Sequence, residues 1–299
     1  MILIDYSQIA LGNVFQFQND LKKDSVDTEV ATNLIRHAVI SGLKYYKKKF
    51  SREYGEVVIA CDDIHYWRKD VFPYYKACRQ TTRNKSDLDW KLIFDTVSQI
   101  RDDIKNHFPY KVIHVAGTEA DDIIATLCMW TQTNGLIDHG MFEEKQKVLI
   151  VSSDGDFKQL HKYDNVNQYS PKEKKKIVCS DPESYLKQHI ASGDSGDGIP
   201  NTLSADNVLA TVGLRQTKMM AARLEEFVSI GRDACRNDQE KTNWDRNNQL
   251  INLELIPVDK QQQIVEMYTK YNTTSDKMSI FNYLLKHRCS LLLKELDDF

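Results

Sequence analysis

Four short, largely apolar runs punctuate the first half of the chain, at residues 1–4, 57–60, 111–115 and 148–151. Runs of this length, rich in Val, Ile and Leu, read as strands buried on both faces. Between them apolar residues recur with a helical period, near 26–50, 88–107 and 119–133. This βαβ order predicts an α/β fold, with a mostly parallel central sheet flanked by helices and ligands at the carboxyl ends of the strands. Beyond about residue 181 the strand signals stop, and helical patterns continue through 219–230, 245–253, 260–271 and 278–296. Two units are expected: an α/β core over 1–185 and a helical C-terminal unit over 186–299. Residues 165–169 and 172–176 read as a solvated hairpin.

Composition narrows the class. With 299 residues, 41% of them hydrophobic, the chain is long enough for a sizeable core. No run approaches a membrane span, and the first residues lack the basic, then apolar, profile of a leader, so a soluble cytoplasmic protein is expected. The six cysteines stand at irregular spacings with no C-x-x-C pair, which favours reduced thiols over a disulfide framework or zinc site.

The candidate chemistry lies where the apolar runs end. Asp5, Asp62, Glu119 with Asp121 and Asp122, Asp154 with Asp156, and Asp194 with Asp197 recur at such positions. Parallel pairing would bring them to one sheet edge, where nine carboxylates would repel one another unless hard divalent cations sat among them. Each has a plainer reading. Asp5 could be a turn or cap residue. The acids of Glu119-Ala-Asp-Asp122 would complement a helix dipole without any metal, and all three converge only if the helix start is irregular or points at a cation. Asp154-Gly-Asp156 could be a simple turn. A dehalogenase-type phosphatase would want Asp where Ser7 stands, and an adhesion-type metal site would want Ser where Ile9 stands. The turn at 193–200 offers two further acids and, at the next helix start, N–H groups for a phosphate.

Net charge is −3, but the cations are unevenly placed. Residues 63–86 hold Arg68, Lys69, Lys76, Arg79, Arg83 and Lys85 among Trp67, Tyr74, Tyr75 and other aromatics. Cations that neutralise phosphates, interleaved with rings that stack on unpaired bases, suit a single-strand or junction-binding element. The alternative is an exposed amphipathic helix with core aromatics.

In this order and spacing, Ile4-Asp5, Cys61-Asp62, Glu119-Ala-Asp-Asp122, Ser153-Asp-Gly-Asp156 and Gly193-Asp194-x-x-Asp197-x-Ile-Pro200 resemble the flap endonuclease/5′-nuclease superfamily, whose core is PIN-like. Tyr66-Trp-Arg-Lys-Asp70, Tyr74-Tyr-Lys76, Gln159-Leu-His-Lys-Tyr163 and the ending Leu296-Asp-Asp-Phe299 look most like its T-even phage branch. The resemblance implies a 5′ to 3′ exonuclease and 5′-flap endonuclease that removes RNA primers and adjacent DNA. It implies two Mg²⁺ ions about 3.5–4 Å apart, with Mn²⁺ able to substitute. One ion would fall near Asp5, Asp62, Glu119, Asp121 and Asp154, the other near Asp154, Asp156, Asp194 and Asp197. Lys76 and Arg79 match the arch residues that approach the scissile phosphate, with Arg68, Tyr75 and Arg83 as neighbours, and Trp67, Tyr74 and Tyr75 could stack on a frayed 5′ end. The family's helix-hairpin-helix is degenerate here: Gly198 and Asn201 replace two members, and only Gly213 and Lys218 echo its second half, which puts duplex contact and K⁺ binding in question. Implied partners are DNA and RNA–DNA hybrid with free 5′ ends or flaps, a single-stranded-DNA-binding protein on 278–299 and a sliding clamp, for a monomer in a host cell's cytoplasm if phage-encoded. A PIN-like ribonuclease acting on single-stranded RNA and a non-catalytic DNA-structure-binding protein remain the competing readings.

Overall fold

The computed structural model describes residues 1–14, 27–138, 143–273 and 275–299. Its centre is a six-stranded sheet of β1 (Ile2–Asp5), β2 (Val57–Ala60), β3 (Lys111–Ile113), β6 (Val148–Val151), β7 (Val166–Ser170) and β8 (Lys175–Ile177), in the order β3-β2-β1-β6-β7-β8. Every neighbouring pair is parallel except β7 with β8, which forms the expected hairpin. A separate antiparallel pair, β4 (Leu136–Asp138) and β5 (Glu143–Lys145), has no counterpart in the sequence reading.

Alternate strand residues go to opposite faces, as the pleat requires. Ile2, Ile4, Val57, Ile59, Leu149 and Val151 enter one apolar cluster, while Met1, Leu3, Val58, Ala60, Val148 and Ile150 enter another. Both faces must therefore be covered. The first is covered by α1 (Tyr6–Val14), α2 (Thr28–Tyr54) and α5 (Trp90–His107), the second by α6 (Ala120–Trp130). Caps set their limits: Asp27 accepts from the Glu29 and Val30 amides at the start of α2, and Gly55, at φ 83°, ends it.

Apolar packing crosses residue 185. From α10 (Val258–Thr269), Ile264 and Tyr268 join the cluster under α6. From α11 (Lys277–Lys286) and α12 (Ser290–Leu293), Ile280, Tyr283, Leu284 and Leu292 join the opposite cluster, as does Phe299. The chain returns to cover both faces of the sheet it began. A third cluster gathers α7 (Pro182–Ser192), α8 (Ala221–Ile230) and α9 (Asp238–Ile251) around Phe227, Trp244 and Ile190, together with Phe72 and Tyr75 from the basic segment. Helices α7 and α8 pack together across the long connection 193–220, the position of the degenerate hairpin. Among the described residues the cysteines form no disulfide, and no helix is long and apolar enough to cross a membrane.

Candidate active site at the carboxyl edge of the sheet

Register brings the first acids together. Asp5 ends β1 opposite Ala60, two residues before Asp62, and Ile4 stands opposite Val151, three residues before Asp154. Small polar residues hold these carboxylates in place. Asp5 accepts from the Gln8 amide at 3.0 Å and the Ser152 hydroxyl at 3.2 Å. Asp62 accepts from the Ser7 hydroxyl at 2.5 Å and the Ala120 amide at 2.8 Å. Among the described residues, no cationic group within 4.0 Å pairs with Asp5, Asp62, Asp121 or Asp154. Burial and then the neighbouring Asp62 push the Asp5 carboxyl up to about 7. Burial and then Asp156 raise Asp154 to about 6. Asp121 lies well above the ordinary carboxylate range, chiefly through burial and then Asp154.

A second set of acids is already neutralised. Glu119, the N-cap of α6, is buried and accepts from Arg68 at 2.9 Å, the Tyr75 hydroxyl at 3.1 Å and the Lys76 ammonium at 2.5 Å. Asp197 accepts from the Tyr75 hydroxyl at 2.9 Å and pairs with Lys76 and Arg79. Burial works against its ionised form, but Lys76 and Arg79 outweigh it and hold its pKa below the ordinary value. Burial likewise opposes the Lys76 ammonium, and Glu119, Asp197 and Asp121 overcome it, so its proton is held more firmly than usual.

Lys76 has φ 57°, a left-handed conformation that costs an L residue on the order of 1–3 kcal/mol. Its amide donates to the Asp197 carbonyl at 2.6 Å, which fixes the turn. The partner loop is shaped for this approach. At Gly198 (φ 75°) a Cβ would come within 2.9 Å of the Tyr74 carbonyl, and at Gly193 (φ 67°) within 2.4 Å of the Ile199 carbonyl. Asp194 receives the Gly196 and Asp197 amides on one oxygen, and no helix starts in this turn, so the helix-terminal phosphate site expected here is absent.

The triad at the start of α6 divides. Asp122 completes a capping box by accepting from the Glu119 amide, accepts from Trp67 Nε1 at 3.1 Å, and pairs with Arg68 at 2.8 Å. It is fully buried, with its carboxylate turned to these partners. Asp121, one residue earlier on the helix, is buried near Asp154 and Asp5 instead.

The basic segment also divides. Its first part folds as α3 (Trp67–Val71), with Trp67, Arg68 and Tyr75 buried. Arg68 spends its donors on Glu119, Asp122 and the Leu250 carbonyl, so these three residues form the site's inner wall and offer no surface to nucleic acid. The rest stays accessible. Lys69 lies over the Tyr66 ring, Tyr74 is partly exposed, and α4 (Ala77–Asn84) carries Arg79 and Arg83, the latter over Phe94. Lys85 and Lys218 are exposed, Lys218 well along the chain in the connection before α8. The sequence reading missed Ser7, Gln8 and Ser152, whose types carry no distinctive signal, and His189. From α7, His189 lies beside Asp156 and Asp194, with one donor atom from each of the three within 4.8 Å of the others.

The donor set fits hard divalent cations. Asp5, Asp121 and Asp154 converge with raised proton affinity and, among the described residues, no cation within 4.0 Å, which is the electrostatic situation a bound cation relieves. Residues 1–189 match the family model of the 5′-3′ exonuclease, N-terminal resolvase-like domain. The chain belongs to this 5′-3′ exonuclease family. Relatives include ribonuclease H of Enterobacteria phage T4, 31% identical over 306 residues (99% of this chain, 95% of that protein). Flap endonuclease Xni of Shewanella sp. (strain MR-4) is 27% identical over 172 residues, covering 55% of this chain and 59% of that protein. The fold matches that of the bacteriophage T5 D15 protein co-crystallised with metal ions, at TM-score 0.61 and 15% identity, covering 90% of this chain and 96% of that one. It also matches the T5 D15 flap endonuclease in a pseudo-enzyme–product complex with DNA and metal ions, at TM-score 0.60 and 17% identity, covering 90% and 99%. This 5′-3′ exonuclease family member is an enzyme, a metal-dependent phosphodiesterase of the 5′-nuclease type.

Proposed function

We propose that the protein is a Mg²⁺-dependent 5′ to 3′ exonuclease and 5′-flap endonuclease that removes RNA primers and adjoining DNA during replication. The carrying observation is the set of Asp5, Asp62, Asp121 and Asp154, which converges at one sheet edge with, among the described residues, no cationic partner within 4.0 Å, beside Lys76 and Arg79. The near full-length likeness to a ribonuclease H supports the RNA–DNA hybrid as substrate, and the DNA in the T5 D15 complex supports a DNA substrate.

Asp5, Asp62, Asp121 and Asp154 would hold one cation, and Asp154, Asp156 and Asp194 the other, with Mn²⁺ able to replace Mg²⁺. Bound there, a pair of divalent ions supplies an activated water and stabilises the leaving 3′ oxygen, giving 5′-phosphate products. Ser7, Gln8 and Ser152 keep the inner acids from turning away from the substrate. Lys76 and Arg79 offset charge accumulating on the non-bridging oxygens, a contribution often worth about 3 kcal/mol per donor. Tyr74 stacks on a frayed 5′ base, while Lys69, Arg83, Lys85 and Lys218 grip the backbone. The same reading takes the protein as a monomer. It includes a single-stranded-DNA-binding protein on 278–299, a sliding clamp at a terminus, and K⁺ at the 193–220 connection.

The test compares wild type with Asp154→Asn on 5′-flap DNA and on RNA–DNA hybrid in Mg²⁺. The variant is expected to lose cleavage by on the order of 10³-fold while binding the flap within a few-fold of wild type. Cleavage near the wild-type rate overturns the reading, as do products that carry 3′-phosphates.

A further inference from the structure

We propose that His189 supplies a nitrogen ligand to the second cation, so that this half of the centre takes imidazole-favouring ions such as Zn²⁺ and Co²⁺ more readily than a purely carboxylate site would. The proposal deepens the two-cation reading and rests on it. His189 Nε2 lies 2.9 Å from Asp156 Oδ1 and 3.8 Å from Asp194 Oδ2. These are separations expected of atoms sharing one ion with bonds of about 2.0–2.2 Å.

The orientation of the ring points the same way. Nε2 is buried and, among the described residues, has no hydrogen-bond partner of good geometry, although Asp156 Oδ1 lies 2.9 Å away. Two ligands of one cation aim at the shared centre and not at each other, whereas an imidazole serving only as a salt-bridge partner aims at its carboxylate.

Surrounding residues hold the arrangement. The ring stacks on Tyr185 at 5.8 Å and 11°, which fixes its plane. Tyr185 can stand there because residue 155 is glycine: a Cβ at Gly155 would meet the Tyr185 hydroxyl at 2.8 Å. The glycine between Asp154 and Asp156 thus makes room for the ring that orients His189. Asp194 is held by the Gly196 and Asp197 amides through Oδ1, which leaves Oδ2 facing His189. Imidazole is a softer donor than carboxylate and carries no charge when it ligates, so exchanging one for the other shifts preference away from Mg²⁺.

Full-length, untagged protein is loaded with Mn²⁺, and its bound ions are counted and examined by pulsed electron paramagnetic resonance for coupling to ¹⁴N. Wild type is expected to bind two ions and show imidazole ¹⁴N modulation, and His189→Gln to bind two ions without it. Two ions and no ¹⁴N coupling in wild type overturn the imidazole ligand while leaving the two-cation reading intact. Fewer than two ions in wild type overturn that reading and this proposal together. In a parallel titration with Zn²⁺ and Mg²⁺, His189→Gln is expected to lose at least about tenfold in Zn²⁺ affinity and to hold its Mg²⁺ affinity within a few-fold. Equal loss for the two ions also overturns the proposal.

Discussion

Two sets of acids stand within one site, and their surroundings give them opposite characters. Asp5, Asp121 and Asp154 have other carboxylates for neighbours and titrate above the ordinary range. Glu119, Asp122 and Asp197 are just as enclosed, yet Arg68, Lys76 and Arg79 already balance them. The first set is electrostatically unfinished and gains from a divalent ion. The second joins the basic segment to the sheet edge through Lys76 and Arg79. An acid at a strand end can therefore be a ligand or an anchor, and the nearest cation decides which.

The sharpest way to break that comparison is to remove one charge from each set at adjacent positions. Asp121→Asn is expected to lower cleavage by on the order of 10³-fold while leaving the metal-free protein as stable as wild type or more so, because a repulsive charge is gone. Asp122→Asn is expected to cost about 3–5 kcal/mol of stability by leaving the buried Arg68 guanidinium undercompensated. Denaturant unfolding in EDTA reads both, and equal stability losses would erase the distinction.

Next in size is Lys76→Met. Removing a cation placed for the transition state is expected to lower kcat by about 10²-fold with KM nearly unchanged. A rise in KM alone would make Lys76 a substrate-binding group.

A smaller effect concerns pH. Asp5 and Asp154 titrate near 7 and 6 in the folded protein, against 3.8 when exposed, so between about pH 4 and 7 the metal-free folded state binds more protons than the unfolded one. Their contribution to stability is then greatest at the acid end of that window and falls as pH rises through it. Thermal melts in EDTA should show this slope, Asp5→Asn should flatten it, and Mg²⁺ should offset it at neutral pH. Unchanged slopes in the variant and in Mg²⁺ would remove the unfinished character of the inner set. The smallest effect is expected for Lys85→Ala, which should reduce the salt dependence of flap binding by about one unit of slope without altering the cleavage rate at saturating substrate.

Much of this site was legible in the chain because strand and ligand are adjacent in sequence. A buried run such as 148–151 announces its strand, and Asp154 follows directly, so parallel pairing alone carries the acid to the sheet edge. The roles of Arg68 and Arg79 were not legible, since both are arginines in one basic, aromatic stretch. One is enclosed between Glu119 and Asp122 while the other reaches Asp197 from the surface, a difference set by where α3 and α4 pack. Helix α7 has a mixed composition, with only Ile190 and Ala191 buried, so neither it nor His189 stands out in the sequence. Its partner Asp156 lies in a different element, and no local pattern joins them.

The parallel sheet and the edge at which the acids gather were set by the chain alone, because each follows from local periodicity and from the residue that ends each strand, while membership of the family rests on the resemblance of whole motifs. Tertiary structure alone decided which acids remain without a counter-charge, which aromatics of the basic segment are wall, and that the last helices close over both faces of the sheet. Charge pairing acts across space and falls steeply with distance, so groups far apart in the chain set it, and only the folded arrangement specifies which of them meet.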